Sequence, residues 1–182
     1  MKADYDRHKM LWSKFLEGDD KDIEALYNEF VNPLFTFGMC FSFNEEMVKD
    51  GIQDLFAKLI YCRKRLKPVE NVRIYLYSAL KNILYNSYKK EARYYQIDTI
   101  EPVFYTEFTP ETRLIESERL YEQKKCIARM MESITPRQRE ILYYRFIEEL
   151  SYEEICQLMQ MNYQSVRNLL HRTLQKLRSM NQ

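Results

Sequence analysis

Three glycines, Gly18, Gly38 and Gly51, are all that 182 residues contain, and this scarcity constrains the fold more than any other feature. Glycine enters left-handed backbone conformations without a Cβ clash, so a chain with little of it has few places to turn sharply. Five prolines add few further breaks. Tyr, Leu, Lys, Glu and Met outweigh Val and Thr, which favours helix over strand. The expectation is an all-α protein of two small helical domains joined by an irregular linker, the second domain a helix-turn-helix.

Apolar spacing supplies the helices. Ile23, Leu26, Tyr27, Phe30, Leu34 and Phe37 fall three and four residues apart, one face of a helix that Pro33 is expected to kink or break. Val48, Ile52, Leu55, Phe56 and Leu59 repeat the pattern over Glu46–Leu59. Lys67-Pro68 ends that run, and Val72–Tyr88 forms a third helix with Ile74, Tyr75, Ala79, Leu80, Ile83 and Leu84 inward. Residues 95–110 lie in a stretch without a helical stripe, acidic and holding two prolines, and read as the linker between residues 1–94 and 111–182. Thr109-Pro110 can restart a helix, followed by Leu114, Leu120, Ile127 and Met130. Thr135-Pro136-Arg137-Gln138 fits a capping box opening a helix through Phe146. Ser151-Tyr152-Glu153-Glu154 fits a second, with Glu154 reaching back to the Ser151 N–H. Asn162 can cap the last helix, whose buried side carries Val166, Leu169, Leu170, Thr173, Leu174 and Leu177.

Charge is unevenly placed. The chain nets +1, yet residues 1–57 carry −6, residues 58–93 carry +8, residues 94–120 carry −4, residues 121–150 carry +1 and residues 151–182 carry +2. Two basic zones separated by an acidic segment suggest two nucleic-acid contacts. Cys40, Cys62, Cys126 and Cys156 are far apart and form no C-x-x-C pair, so free thiols are expected rather than a disulfide framework or zinc site. His8 and His171 lack metal-ligand partners at useful spacing. No apolar run approaches the roughly 18 residues of a membrane span, so a cytoplasmic protein without direct membrane insertion is expected. No Ser/His/Asp set, phosphate-cradling glycine loop or metal cluster is evident. No catalytic residue, metal or cofactor is therefore assigned.

The last helix turns its polar side outward. Opposite the apolar stripe stand Gln164, Asn168, His171, Gln175 and Arg178, flanked by Ser165, Arg167 and Arg172. In a helix-turn-helix the start of the second helix enters the major groove. Amides can read adenine there and arginines guanine, while Ser165 and Arg172 suit phosphates, which position without reading.

These residues carry a resemblance. SYEEICQLMQMNYQSVRNLLHR (151–172) resembles the minus-35-reading domain four of bacterial RNA polymerase sigma factors, and ITPRQREILYYRF (134–146) resembles the helix preceding it. The family's turn glycine is Gln160 here, the glycine before the serine cap is replaced within Glu149-Leu150, and an arginine frequent in the recognition helix is Leu169. VKDGIQDLFAKLI (48–60) resembles the domain-two helix that docks on the polymerase clamp, with Asp50, Gln53, Asp54 and Phe56 matching. EGDDKDIEALYNEF (17–30) resembles the opening of that domain. VRIYLYSALKNILYNSYKKEAR (72–93) resembles the helix pair that engages the minus-10 element. Only domains two and four are matched, the arrangement of the extracytoplasmic-function type.

The resemblance implies a sigma factor that binds core RNA polymerase, through the clamp helices of the largest subunit and the flap of the second-largest, and directs it to promoter DNA. It implies polymerase contacts from Asp50, Gln53, Asp54 and Phe56. Minus-35 contacts would come from Gln164, Ser165, Arg167, Asn168, His171 and Arg172. Minus-10 contacts would come from Arg73, Lys81, Asn82, Lys89, Lys90 and Arg93, with an unstacked base captured near the 66–72 loop and Asn82. Tyr77, Tyr85 and Tyr88 could each stack a base or lie at the surface. An anti-sigma factor is the further implied partner. The rival reading is a dimeric helix-turn-helix regulator whose N-terminal half senses a ligand or dimerises.

Overall fold

The computed structural model describes residues 2–18, 20–41, 44–94 and 130–180. The chain divides into two compact units, Met1–Pro102 and Val103–Gln182, and the described residues of both are helical or irregular. The expected helix restart at Thr109-Pro110, the positions Leu114, Leu120, Cys126 and Ile127, and the linker 95–110 lie outside the described residues.

The first unit contains α1 (Lys2–Glu17), α2 (Asp20–Met39), α3 (Glu45–Cys62), a 3₁₀ turn (Arg63–Arg65) and α4 (Val72–Tyr94). Helix α1 packs on α2 and α4, α2 on α3 and α4, and α3 on α4. The heptad-like spacing of Leu26, Phe30, Leu34 and Phe37 on α2 and of Val48, Ile52, Leu55 and Leu59 on α3 becomes the buried seam. Aromatic rings fill much of it, with Phe37 stacked on Tyr77 at 4.1 Å between ring centroids and Phe56 edge-on to Tyr27 at 5.0 Å. Gly38 allows the close crossing of α2 and α3, since a Cβ there would come within 2.5 Å of Val48 Cγ1. Asn44 starts α3 by accepting from the backbone N–H of Glu46 at 3.0 Å and of Met47 at 3.2 Å.

The break expected at Pro33 does not occur, and one helix without a sequence expectation is present. Helix α2 runs unbroken from Asp20 to Met39 with Pro33 inside it. Pro33 sits on the exposed side while Phe30, Leu34 and Phe37 are buried; their packing offsets a proline cost of about 3 kcal/mol. Helix α1, whose charged N-terminus gave no expected element, is formed and contributes the fully buried Trp12 and Phe15. Its outer half is held to α2 through Glu29, which pairs with both Arg7 and His8.

In the second unit residues 130–133 are helical, followed by α5 (Pro136–Leu142), a π turn (Tyr143–Ile147), α6 (Tyr152–Met159) and α7 (Tyr163–Met180). Both expected capping boxes form. Thr135 Oγ1 accepts from Gln138 N and Gln138 Oε1 from Thr135 N, and Ser151 Oγ accepts from Glu154 N and Glu154 Oε2 from Ser151 N. The helix expected through Phe146 instead widens at Tyr143, where Glu148 N bonds to Tyr143 O at 3.0 Å. Tyr143 Oη donates to Glu148 at 2.7 Å, and the Arg145 guanidinium donates to Leu150 O at 2.9 Å, fixing that wider turn. The chain then leaves through Glu149 at φ 53°, in the left-handed region. Buried Tyr144 donates to Glu140 at 2.8 Å, so the carboxylate taken into the core has a partner.

Helices α6 and α7 each pack against the other, and α5 packs on α7. The turn between α6 and α7 is made by Gln160 in the left-handed region, φ 52° and ψ 48°, with Met161 N closing onto Cys156 O at 3.1 Å. At the far end of α7, Lys176 Nζ donates to Ser133 O at 2.6 Å.

Candidate nucleic-acid interface

Helix α7 is amphipathic in the manner its sequence requires. Val166, Leu170 and Thr173 are buried, and Thr173 satisfies its hydroxyl on Leu169 O at 2.7 Å. Leu169, Leu174 and Leu177 are half-buried at the edges of that stripe. At about 100° per residue, Gln164, Asn168, His171 and Gln175 fall within a sector of about 60° opposite the stripe, and all four are exposed. Exposed Arg167 stands on one side of the sector; exposed Arg172 and half-buried Ser165 stand on the other.

The N-terminus of α7 is capped by Asn162, whose Oδ1 accepts from Ser165 N at 2.8 Å. One turn further along, Gln164 Nε2 donates to Asn168 Oδ1 at 3.1 Å. This bond uses the Gln164 amide N–H and the Asn168 carbonyl, so the Gln164 carbonyl, an acceptor, and the Asn168 amide N–H groups, donors, are not used by it. Such a pair matches the N6 and N7 edge of adenine. Tyr163, the first residue of α7 and about half exposed, was not singled out by sequence; its ring lies 5.4 Å from that of Tyr152, over which Arg145 is placed at 5.5 Å. An aromatic side chain at the first position of a recognition helix is the signal that marks it.

The basic candidates of α4 do not share one face. Asn82, Lys89 and, by helical register, Arg93 lie within about 40° of one another, opposite the buried stripe of Leu76, Leu80 and Leu84. Asn82, Lys89 and Lys90 are exposed. Half-buried Lys81 is turned away from Asn82 and lies 5.6 Å from the ring of Phe41. Half-buried Arg73, nine residues before Asn82, stands on the other side of the helix. The side chain of Arg93 lies outside the described residues.

The tyrosines separate. Tyr77 is 2% exposed and stacked on Phe37, so it is core and has no face for a base. Tyr85 and Tyr88 are half-buried on the side of Lys81, with Lys89 Nζ 4.3 Å from the Tyr85 ring. Tyr75 is half-buried, and burial, with the electrostatic influence of Cys62 second, pushes its phenol up. It therefore stays a neutral hydroxyl.

On α3, Asp50, Gln53 and Asp54 are exposed while Ile52, Leu55 and Leu59 face the core. Asp50, Asp54 and Glu46 line a shallow depression of about 270 Å³ with Asn44, Met47, Gly51 and Ser87. Neither aspartate forms an ion pair among the described side chains, whereas Lys49 is taken up by Glu46 at 2.9 Å and Glu45 at 3.4 Å. That pairing raises the Lys49 ammonium, chiefly through Glu46. Phe56 is a correction: it is 5% exposed and packs on Tyr27, so it holds α3 in place and offers a partner nothing to touch. Among the described residues no group of His, Cys, Asp and Glu could hold a metal, and no helix is long and apolar enough to cross a membrane.

Residues 124–177, which include α5, α6 and most of α7, match the family model for sigma-70, region 4. Over 166 residues, 86% of this chain and 90% of the relative, the sequence is 25% identical to RNA polymerase sigma factor YlaC of Bacillus subtilis (strain 168). The chain is a sigma factor of the extracytoplasmic-function type. Two solved structures share the sigma factor's fold. One is CnrH in complex with the cytosolic domain of CnrY, 15% identical with a TM-score of 0.62 over 94% of this chain and 95% of that one. The other is RpoE of Bartonella quintana in complex with the anti-sigma factor NepR, 20% identical with a TM-score of 0.60 over 88% of this chain and 96% of that one. As a sigma factor the protein directs RNA polymerase to promoters, a regulatory role, and the dimeric regulator is set aside.

Proposed function

We propose the residues through which this sigma factor works. Residues 1–94 act as domain two and residues 111–182 as domain four, joined by the acidic segment 95–110. Asp50, Gln53 and Asp54 dock on arginines of the clamp helices of core polymerase; aspartates that form no ion pair among the described side chains supply orientation and association rate for such a partner. Domain four takes the flap of the second-largest subunit and presents α7 to the minus-35 element as intact duplex. Gln164 and Asn168 read a base edge, with Arg167 and His171 beside them, while Ser165 and Arg172 meet phosphates.

Domain two holds the minus-10 region after it opens. Asn82, Lys89 and Arg93 follow the strand, and Lys81, Lys90 and Arg73 contribute charge from the flanks. Opening costs about 1.4 kcal/mol per stacked step, which single-strand contacts must offset. The protein itself performs no covalent chemistry and acts in the cytoplasm beside polymerase. An anti-sigma factor is its regulatory partner, as CnrY and NepR are found with CnrH and RpoE.

The observation that carries this reading is the hydrogen-bonded Gln164–Asn168 pair on an exposed face opposite the α7 core stripe. The test is run-off transcription by core polymerase, with and without the protein, from a promoter library randomised at both elements. Recovery of a shared minus-35 and minus-10 pair only when the protein is present supports it. Transcripts without any common upstream element would contradict it. The weak +2 balance of residues 151–182 implies few phosphate contacts, so the free protein is expected to show little promoter affinity until core polymerase is added.

A further inference from the structure

The segment between α3 and α4, residues 66–71, is where the proposed minus-10 contact would be made. It has no regular structure, and none of its side chains is buried. Lys67, Pro68 and Glu70 are exposed; Leu66, Val69 and Asn71 are half-buried. Pro68 has no backbone N–H to donate. Local bonds tie the two ends, Leu66 N to Arg63 O at 3.1 Å and Ile74 N to Asn71 Oδ1 at 3.1 Å.

A long-range hold on the segment comes from α1. Trp12 is 1% exposed, and its indole Nε1 donates to Lys67 O at 3.1 Å across 55 residues of sequence. The same ring is edge-on to Tyr75, in the first turn of α4, at 5.2 Å and is set against Phe15 at 5.5 Å. At the end of α1, Gly18 turns at φ +110°, and the Arg63 guanidinium lies 3.4 Å from where its Cβ would be. Through Trp12, helix α1 thus holds the connection near its start, at Lys67, and meets α4 just after the connection ends, at Tyr75.

We propose that Trp12 is a positioning residue for promoter recognition: through the Lys67 carbonyl it fixes the α3–α4 connection in the form that receives the opened minus-10 strand. Trp12 touches no DNA. Its indole N–H supplies a directional anchor that a purely apolar ring of the same shape lacks. A loop left to sample several forms would meet the strand in the right one only part of the time, which weakens discrimination at the base it holds. This rests on the reading of domain two given above.

The experiment uses holoenzyme assembled from core polymerase and full-length protein, on a promoter recovered from the library and on variants of it changed only at minus-10. Trp12→Phe removes the N–H and keeps an aromatic ring. A second variant carries benzothienylalanine at position 12, which replaces the N–H by sulfur in a ring of the same outline and remains informative if Trp12→Phe fails to fold. Core co-elution and thermal melting are measured alongside. The expected result is normal core binding with a loss of about fivefold in the transcription ratio between matched and mismatched minus-10 sequences, the worth of one hydrogen bond. Dependence on minus-35 should not change. An unchanged ratio in the sulfur variant, or equal loss of transcription from every template, would overturn the proposal. If the wild-type holoenzyme itself ignored minus-10 changes while initiating from minus-35, the domain-two reading would fail, and the anchor would have nothing to position.

Discussion

The two units of this sigma factor reach helical folds by different means. The first is held by side-chain packing: long helices bury Trp12, Phe15, Phe30, Phe37 and Tyr77 in a continuous aromatic interior. The second uses shorter α5 and α6 elements whose boundaries are set by two capping boxes, a π turn and two left-handed residues, Glu149 and Gln160. The contrast separates stability from function differently in each. In the first unit the proposed docking surface is a set of exposed side chains that the core does not need. In the second, the residues that shape the turn also aim α7, so folding and the proposed promoter recognition share the same few positions.

Four substitutions would break or sharpen that contrast. Phe37→Ala should have the largest effect, since it removes a fully buried ring stacked on Tyr77. A loss of about 3–5 kcal/mol in urea unfolding is expected, and a loss under about 1 kcal/mol would mean the aromatic interior is not what holds the first unit. Gln164→Ala should weaken discrimination at minus-35 by about 1–3 kcal/mol, read as competing transcription from matched and mismatched promoters. Its melting temperature should stay at the wild-type value; a fall in core binding would show that α7 faces polymerase instead of DNA.

Ser151→Ala removes a cap that accepts from Glu154 N at 3.2 Å, with an expected cost of about 1 kcal/mol in thermal melting. Some loss of minus-35 transcription should accompany it, because α6 sets the angle of α7. Gln160→Gly should do the opposite. Relief of the left-handed strain at φ 52° is worth about 1 kcal/mol of stabilisation, less the extra freedom of glycine when unfolded. Destabilisation in that variant would mean the Gln160 side chain contributes more than its backbone costs.

Much of this was legible in the sequence, for identifiable reasons. The seam residues of α2 and α3 announced themselves by spacing, and the caps at Thr135, Ser151 and Asn162 by residue type at fixed offsets. Gln160 stands where the resemblance puts a turn glycine, and the structure closes the turn there with Gln160 itself in the left-handed region. Helix α1 was not foreseen: its first ten residues are mostly polar or charged, and what fixes it is tertiary, the burial of Trp12 and Phe15 and the pairing of Arg7 and His8 with Glu29. The π turn was missed because Tyr143–Ile147 carries a helical pattern, and the widening depends on where Glu148 and Leu150 find carbonyl partners. Phe56 was grouped with the docking residues by resemblance although its spacing already put it on the inward stripe. Tyr77 shows the same lesson, three residues before Leu80 and seven before Leu84 on the buried side of α4.

The central claim is that an acidic surface on α3 docks core polymerase while α7 faces the promoter. Size-exclusion chromatography of the wild-type protein and of Asp54→Arg, each with core RNA polymerase, tests it most directly. The wild type should co-elute at about one to one, and Asp54→Arg should lose core binding by about tenfold or more with an unchanged melting temperature. Equal co-elution of both proteins would contradict the assignment of α3 as the docking surface.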